Sequence, residues 1–242
     1  MSEKPFGIDI SSWQGKVDWD IVGSHVPKVR FVGIRASYGQ NFSDPQFKRN
    51  WTEAKDRGIP RMAYHYMLFE FDVERQMDRF MLEMDNDYGE IGLVLDCEDN
   101  RGYGKVHITN CVNKSLGIMQ QRSKKIPIIY SRANWTNDFI DVNEIGNPYW
   151  WLAQWLHTPE EHPGPPWLPK GVNRNRCLVH QTTAKGTPFG MATLQLDYDR
   201  WQFPQAHLDS FTGTTPTPEP PPTEPTLEKK VNKLWDAHPE IH

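Results

Sequence analysis

Residues 92–99 read Gly-Leu-Val-Leu-Asp-Cys-Glu-Asp, an apolar run that ends abruptly in acids. A strand buried on both faces is a near-continuous apolar run. Residues 92–97 are therefore expected as a parallel strand, with Asp96 and Glu98 at its C-terminal end. Side chains alternate along a strand with a period of two. Asp96 and Glu98 should share a face, and Cys97 should point the other way.

Seven more runs of this kind flank it: FGIDI at 6–10, FVGIRA at 31–36, RMAYHYM at 61–67, IPIIYS at 126–131, YWWLAQ at 149–154, CLVHQT at 177–182 and LQLDYD at 194–199. The gaps between the first five carry helical periodicity. Asp44 is expected to cap a helix that begins at Pro45, buries Phe47, Trp51 and Ala54, and ends at Gly58. Val73, Met77, Phe80, Met81 and Met84 make the next stripe, and Ile108, Cys111, Val112 and Met119 another. The gaps around the last two runs are shorter and rich in Pro, Gly and Thr. Eight strands with helical crossovers point to an α/β fold, a small modified TIM-type (β/α)8 barrel with reduced later helices. A doubly wound open sheet is the alternative, but the glycine-rich phosphate loops such sheets often carry, G-x-G-x-x-G or G-x-x-x-x-G-K-[ST], are absent.

The composition breaks once. Residues 214–225 read TTPTPEPPPTEP, which excludes helix and sheet and reads as an extended linker. The chain thus divides into a body at 1–211, a Pro/Thr-rich linker at 212–226 and a short amphipathic helix at 227–242. Leu227, Val231, Leu234 and Trp235 recur at helical spacing, and self-association through this helix is one expected use.

The 242 residues carry a formal charge of −4, with Lys and Arg scattered. No basic stripe suits nucleic acid, and no apolar run is long enough to span a membrane. The N-terminus lacks a basic-then-apolar leader, so synthesis in the cytoplasm without a Sec signal is expected. Cys97, Cys111 and Cys177 cannot form a disulfide framework and are expected as free thiols. Ten Trp residues suit a carbohydrate cleft, but equally ordinary cores.

The acids recur at strand ends: Asp9 on the first run, Asp96 and Glu98 on the fourth, Asp197 and Asp199 on the eighth. Barrel enzymes place their sites at the C-terminal ends of their strands. In a closed barrel the first and eighth strands are neighbours, which sets Asp9 beside Asp197 and opposite Asp96 and Glu98. A rim of carboxylates without a metal-ligand set suits glycoside hydrolysis. A lone strand-end Asp is more often a cap or an ion-pair partner; the joint placement carries the reading.

The ordered motifs FGIDISSWQG (6–15), FVGIRASYG (31–39), AYHY (63–66), LVLDCED (93–99), PIIYS (127–131), WWLAQW (150–155), VHQTT (179–183) and LDYDRW (196–201) resemble the glycoside hydrolase family 25 lysozymes. These are the Chalaropsis-type muramidases of bacteria and phage endolysins. The resemblance implies cleavage of the β-1,4 bond between N-acetylmuramic acid and N-acetylglucosamine in peptidoglycan, with no cofactor and no metal. It implies Glu98 as proton donor, Asp96 as the second acid of the D-x-E pair, and Asp9 and Asp197 as the acids of the first and last strands. A retaining, substrate-assisted route is favoured, with Glu98 acting first as acid and then as base. A raised Glu98 pKa is expected from the like charge of Asp96.

Tyr64, Tyr66, Tyr130, Trp151 and Trp155 are candidate sugar platforms, with Arg35, Tyr38 and Gln181 as further substrate contacts. Arg35 stands where many relatives have Lys, Tyr38 where many have Glu, and Asp199 where many have Asn; Asp199 is expected to be structural. The resemblance to endolysins implies action on the cell wall by phage-type release or from a virion. Competing readings are a metal-dependent amidase or peptidase, against which H-E-x-x-H is absent, a Cys-His nucleophile, and a barrel that binds glycan or builds a particle without cutting.

Overall fold

A computed structural model describes residues 4–156 and 164–213. His157 and His162, the proposed linker from 214 onward and the expected helix at 227–242 lie outside the described residues.

The elements follow in chain order: β1 (Phe6–Ile10), α1 (Trp19–Ser24), β2 (Val29–Tyr38), β3 (Phe42–Ser43), α2 (Phe47–Asp56), β4 (Arg61–Tyr66), α3 (Val73–Met84), β5 (Gly92–Asp96), α4 (Lys105–Ser123), β6 (Ile128–Ser131), α5 (Ala133–Phe139), β7 (Tyr149–Ala153), β8 (Cys177–Gly186), β9 (Leu196–Trp201) and α6 (Gln205–Thr212). The sheet order is β1-β9-β8-β7-β6-β5-β4-β2-β3, and a further β1–β2 pairing closes it into an eight-stranded barrel with β3 as a short appendage. Closure removes the sheet edges. The later helices are reduced as expected: α5 spans 7 residues, and between β7 and β8 the described residues hold only a 3-10 turn at Arg174–Arg176.

One strand departs from the all-parallel reading. β9 runs antiparallel to both β1 and β8. A parallel connection needs a dozen or more residues, and the link from Gly186 to Leu196 is shorter than that. The chain therefore turns back directly. Asp197 then enters the barrel mouth at the start of its strand, not at the end.

Two cores result from the strand alternation. Ile8, Ile10, Leu93, Leu95, Cys97, Ile129 and Leu152 face outward, packed with Trp51, Met77, Phe80, Val112 and Met119 of the helices. Phe31, Met62, Val94, Ile128, Tyr130, Trp151 and Trp201 fill the barrel. Several inward columns are apolar at the base and polar at the mouth. Val94 is followed by Asp96, Met62 by Tyr64, Val179 by Gln181. The same period of two that buries the base thus presents the polar groups at the mouth.

The helical stripes bury as expected, but the cap of α2 differs. Gln46, not Asp44, is its N-cap residue, and it makes no side-chain cap bond. Asp44 forms a turn before the helix: its Oδ1 accepts from Gln46 N at 3.0 Å. Its Oδ2 accepts from Ser12 N and Arg35 Nε, both at 2.9 Å. The carboxylate ties the β1 loop to β2. Among the described residues no helix is long and apolar enough to cross a membrane.

Candidate active site

A cavity of about 440 Å³ opens at the barrel mouth, walled by Asp9, Arg35, Tyr64, Tyr66, Asp96, Glu98, Tyr130, Trp151, Trp155, Gln181 and Asp197. Eleven of the twelve candidates named from the sequence meet there. Asp9 lies directly across from Asp197 in the β1–β9 register. Gly33 makes room for this floor: a Cβ there would stand 3.0 Å from the Trp151 ring and 3.1 Å from the Asp9 Cβ.

Tyr38 is the exception, and it does not line the cavity. The register shifts between Arg35 and Ser37. Beyond it, the hairpin to β3 carries Tyr38 past the rim, where its ring packs on Phe42 at 4.6 Å.

Burial governs the electrostatics, and like charges add to it. Asp9 is pushed well above the carboxylate range by burial and then by the charges of Asp197 and Asp199. Asp96 is pushed well up by burial and then by Glu98, with Arg35 opposing. Asp197 is raised to about 7 by burial and by Glu98. Glu98 is raised too, but the leading cause is burial. The charge of Arg132 and a hydrogen bond with Asp96 oppose the rise. The expected direction thus holds for a different reason. Asp96 and Glu98 are in hydrogen-bond contact, so the two share a proton over part of the pH range.

The amide of Gln181 organises one wall. Its Nε2 donates to Asp9 Oδ2 at 2.9 Å. Its Oε1 accepts from Tyr130 Oη at 2.8 Å and Trp155 Nε1 at 3.0 Å. Gln181 is therefore engaged in fixing Asp9 and the two aromatics. Trp151 is 2% exposed and donates Nε1 to Asp199 Oδ1 at 2.8 Å. It forms the floor, edge-on to Tyr130 with ring centroids 4.7 Å apart. Trp155, at 55% exposure, stands on the rim. Arg35 Nη2 donates to Ser12 Oγ at 3.0 Å, so Asp44 and Ser12 fix the guanidinium beside the acids.

Six further wall residues carried no expectation: Ser11, Trp13, Gln14, Ala184, Thr193 and Gln195. Trp13 is 80% exposed. Ser11 and Gln14 form a capping box under it, with Ser11 N donating to Gln14 Oε1 at 2.7 Å. The signal was its place just past a strand's C-terminus, where barrels set their binding loops. Thr193 and Gln195 come from the β8–β9 link and gave no such signal.

Other histidines and thiols are occupied by packing. His65 Nδ1 pairs with Ser37 Oγ at 2.8 Å, and His180 Nε2 with the Gln154 carbonyl at 2.8 Å. Cys97, Cys111 and Cys177 are buried and free.

The profile of the family described as "Glycosyl hydrolases family 25" matches residues 8–190. Uncharacterized protein YegX of Escherichia coli O6:H1 (strain CFT073) is 32% identical over 167 residues, covering 66% of this chain and 60% of that protein. Lysozyme M1 of Streptomyces globisporus is 29% identical over 162 residues, covering 62% of this chain and 54% of that protein. The alignments thus span less than two thirds of these relatives' own lengths. The crystal structure of the bacterial lysozyme from Streptomyces coelicolor shares the fold, with a TM-score of 0.71 at 24% identity over 89% of this chain and all of that one. Matched by the family profile along most of its barrel, the chain belongs to the glycosyl hydrolases of family 25.

Proposed function

We propose that this protein is a lysozyme that hydrolyses the β-1,4 bond between N-acetylmuramic acid and N-acetylglucosamine in peptidoglycan. The observation that carries the reading is the joint placement of Asp9, Asp96, Glu98 and Asp197 around one cavity in a family 25 barrel. Glycoside cleavage needs a carboxylic acid that is still protonated near neutral pH and a second acid close by. Burial raises Glu98 toward that state, and it serves as proton donor to the leaving oxygen.

Asp96 orients and stabilises the substrate's 2-acetamido group as it attacks the anomeric carbon. Glu98, now ionised, then takes a proton from water, and configuration is retained. Asp9 holds negative charge opposite the oxocarbenium-like centre, with Asp197 beside it. Tyr64, Tyr66, Tyr130 and Trp155 contact the sugars, with Arg35 beside them and Trp151 as the floor. Trp13 adds an exposed indole on the opposite rim, a surface suited to a sugar's apolar face.

The cell wall is the place of action in this reading, reached by phage-type release or from a virion. Self-association belongs to the helix proposed at 227–242, joined to the body by the linker at 212–226. Its test is whether the full chain shows a concentration-dependent mass that Trp235→Asp abolishes.

The activity test is digestion of purified peptidoglycan by wild type and Glu98→Gln, borohydride reduction, and mass spectrometry of the new ends. Reduced N-acetylmuramic acid ends from the wild type alone are expected. Reduced N-acetylglucosamine ends would change the bond assignment. New amino or carboxyl termini without reducing ends would replace the glycosidase with an amidase or peptidase.

A further inference from the structure

Asp199 is the acid of this region that the mechanism leaves without a task. It is fully buried, and the cavity wall does not include it, so it does not touch a bound sugar. In the β1–β9 register it pairs with Gly7, one inward step below Asp9. A carboxyl in such a place needs donors. Trp151 Nε1 supplies one to Oδ1 at 2.8 Å. Oδ2 is buried, and no N–H or hydroxyl donor reaches it. The carboxyl is in hydrogen-bond contact with that of Asp9.

Asp9 is similarly provided for on one side only, where Gln181 Nε2 donates to Oδ2 at 2.9 Å. Two carboxylates cannot hydrogen-bond to each other unless one of them carries a proton. We propose that Asp9 and Asp199 hold one proton between them. Through it Asp199 acts as a positioning residue that keeps the pair at a single negative charge beneath the sugar. The proton sharing rests on the contact of the two carboxyls and on the buried Asp199 Oδ2 that no other donor reaches; the catalytic consequence rests on the lysozyme reading.

The surroundings favour one charge over two. Asp197 and Arg200 face the pair from β9, Tyr64 from β4 and Tyr130 from β6. Across the mouth stand Asp96 and Glu98 at the end of β5, and Arg35 on β2. Trp151 and Gln181 contribute neutral donors from β7 and β8. Burial and the Asp197 charge both resist a second ionisation, as in other buried carboxyl pairs.

Asn at position 199 tests this directly. Its carbonyl can accept from Trp151, and its N–H can donate to Asp9, so a fixed donor replaces the shared proton at the same net charge. The first measurement is carboxyl 13C NMR of the free full chain, titrated from pH 3 to 10. In the wild type, two coupled steps are expected, the last well above the ordinary Asp range. In Asp199→Asn the Asp9 signal should titrate once, at least one pH unit lower.

The second measurement is the pH profile of peptidoglycan hydrolysis. Asp199→Ala is expected to lose at least tenfold in kcat. Asp199→Asn should recover most of that loss and move the alkaline limb upward, because its pair cannot take a second charge. If Asp9 titrates in the ordinary range in both proteins, or if Asn and Ala are equally impaired with the wild-type profile, the shared proton is refuted. If the NMR shifts appear but no variant or wild type cleaves peptidoglycan, the pair stands and the lysozyme reading falls.

Discussion

The two ends of the barrel treat the same residue types in opposite ways. At the base, Arg61 opens β4 and is 1% exposed. It bonds Glu90 Oε1 at 2.8 Å and Asp87 Oδ2 at 3.0 Å. Its guanidinium lies 4.3 Å from the centroid of the Trp51 ring. Burial there would raise both carboxyls, but the bonds to Arg61 outweigh it: Asp87 falls to about 2, and Glu90 falls as well. At the mouth, among the described residues, no basic side chain forms an ion pair with the acids, and the charges of Arg35 and Arg132 only oppose the rise of Asp96 and Glu98. Arg35 is bound to Asp44, and Asp9, Asp96, Glu98 and Asp197 all move upward. Paired acids hold the base together; crowded acids strain the mouth and keep protons available for chemistry. Stability and activity should therefore respond in opposite senses at the two ends.

Glu98→Gln breaks the comparison hardest. Activity on peptidoglycan should fall by about a thousandfold, the scale of a lost general acid. Thermal unfolding at neutral pH should show a melting temperature equal to or above the wild type. A drop in both would mean that Glu98 is structural.

Arg61→Met tests the other end. Breaking a buried ion pair from one side costs about 3 kcal/mol, read from urea denaturation. The turnover of the folded fraction should stay within about twofold, since no base residue lines the cavity.

Asp197→Asn sharpens the contrast through pH. Asp197 sits at about 7 in the fold against an ordinary 3.8. Its protonated form is the favoured one. The contribution is fully present below the ordinary value and is lost as pH rises through 7. Asn escapes that loss, so the variant should be more stable by about 4 kcal/mol at pH 8, and the gap should close below pH 4.

Asp87→Asn should show the mirror image, and the smallest effect. The low Asp87 pKa favours the ionised form, so its contribution is present above the ordinary value and lost as pH falls through about 2. With 35% of the side chain exposed, screening limits the loss to about 1 kcal/mol at pH 7. The gap should vanish between pH 4 and 2.

Much of this was legible from residues 92–99 outward, because burial alternates with a period of two. Asp96 and Glu98 face the cavity and Cys97 the helices for that reason alone. β9 was expected to run with its neighbours, although the eleven residues between the runs at 177–182 and 194–199 are already few for a parallel crossover. Tyr38 was named only because many relatives carry Glu at that position, and the hairpin to β3 carries its side chain past the rim onto Phe42. Asp44 resembles a cap by residue type, but its carboxylate binds Arg35 and the Ser12 amide. Trp13 leaves no periodic trace in the sequence, because it is an exposed indole on a loop. The Asp87–Glu90–Arg61 network was invisible, because ion pairs between separate elements have no sequence spacing.

The late, antiparallel β9 also bears on when the molecule becomes complete during synthesis. Gln181 and Asp9, which bond in the finished wall, are 172 positions apart, and β9 follows later still. Until it emerges from the ribosome, β1 has an open edge and the mouth lacks Asp197. Long-range closure of this kind is slow and comes after local structure. A nascent or truncated chain ending before Leu196 should therefore be an open sheet with seven of the eight barrel strands and no activity, and the candidate site is completed only by β9.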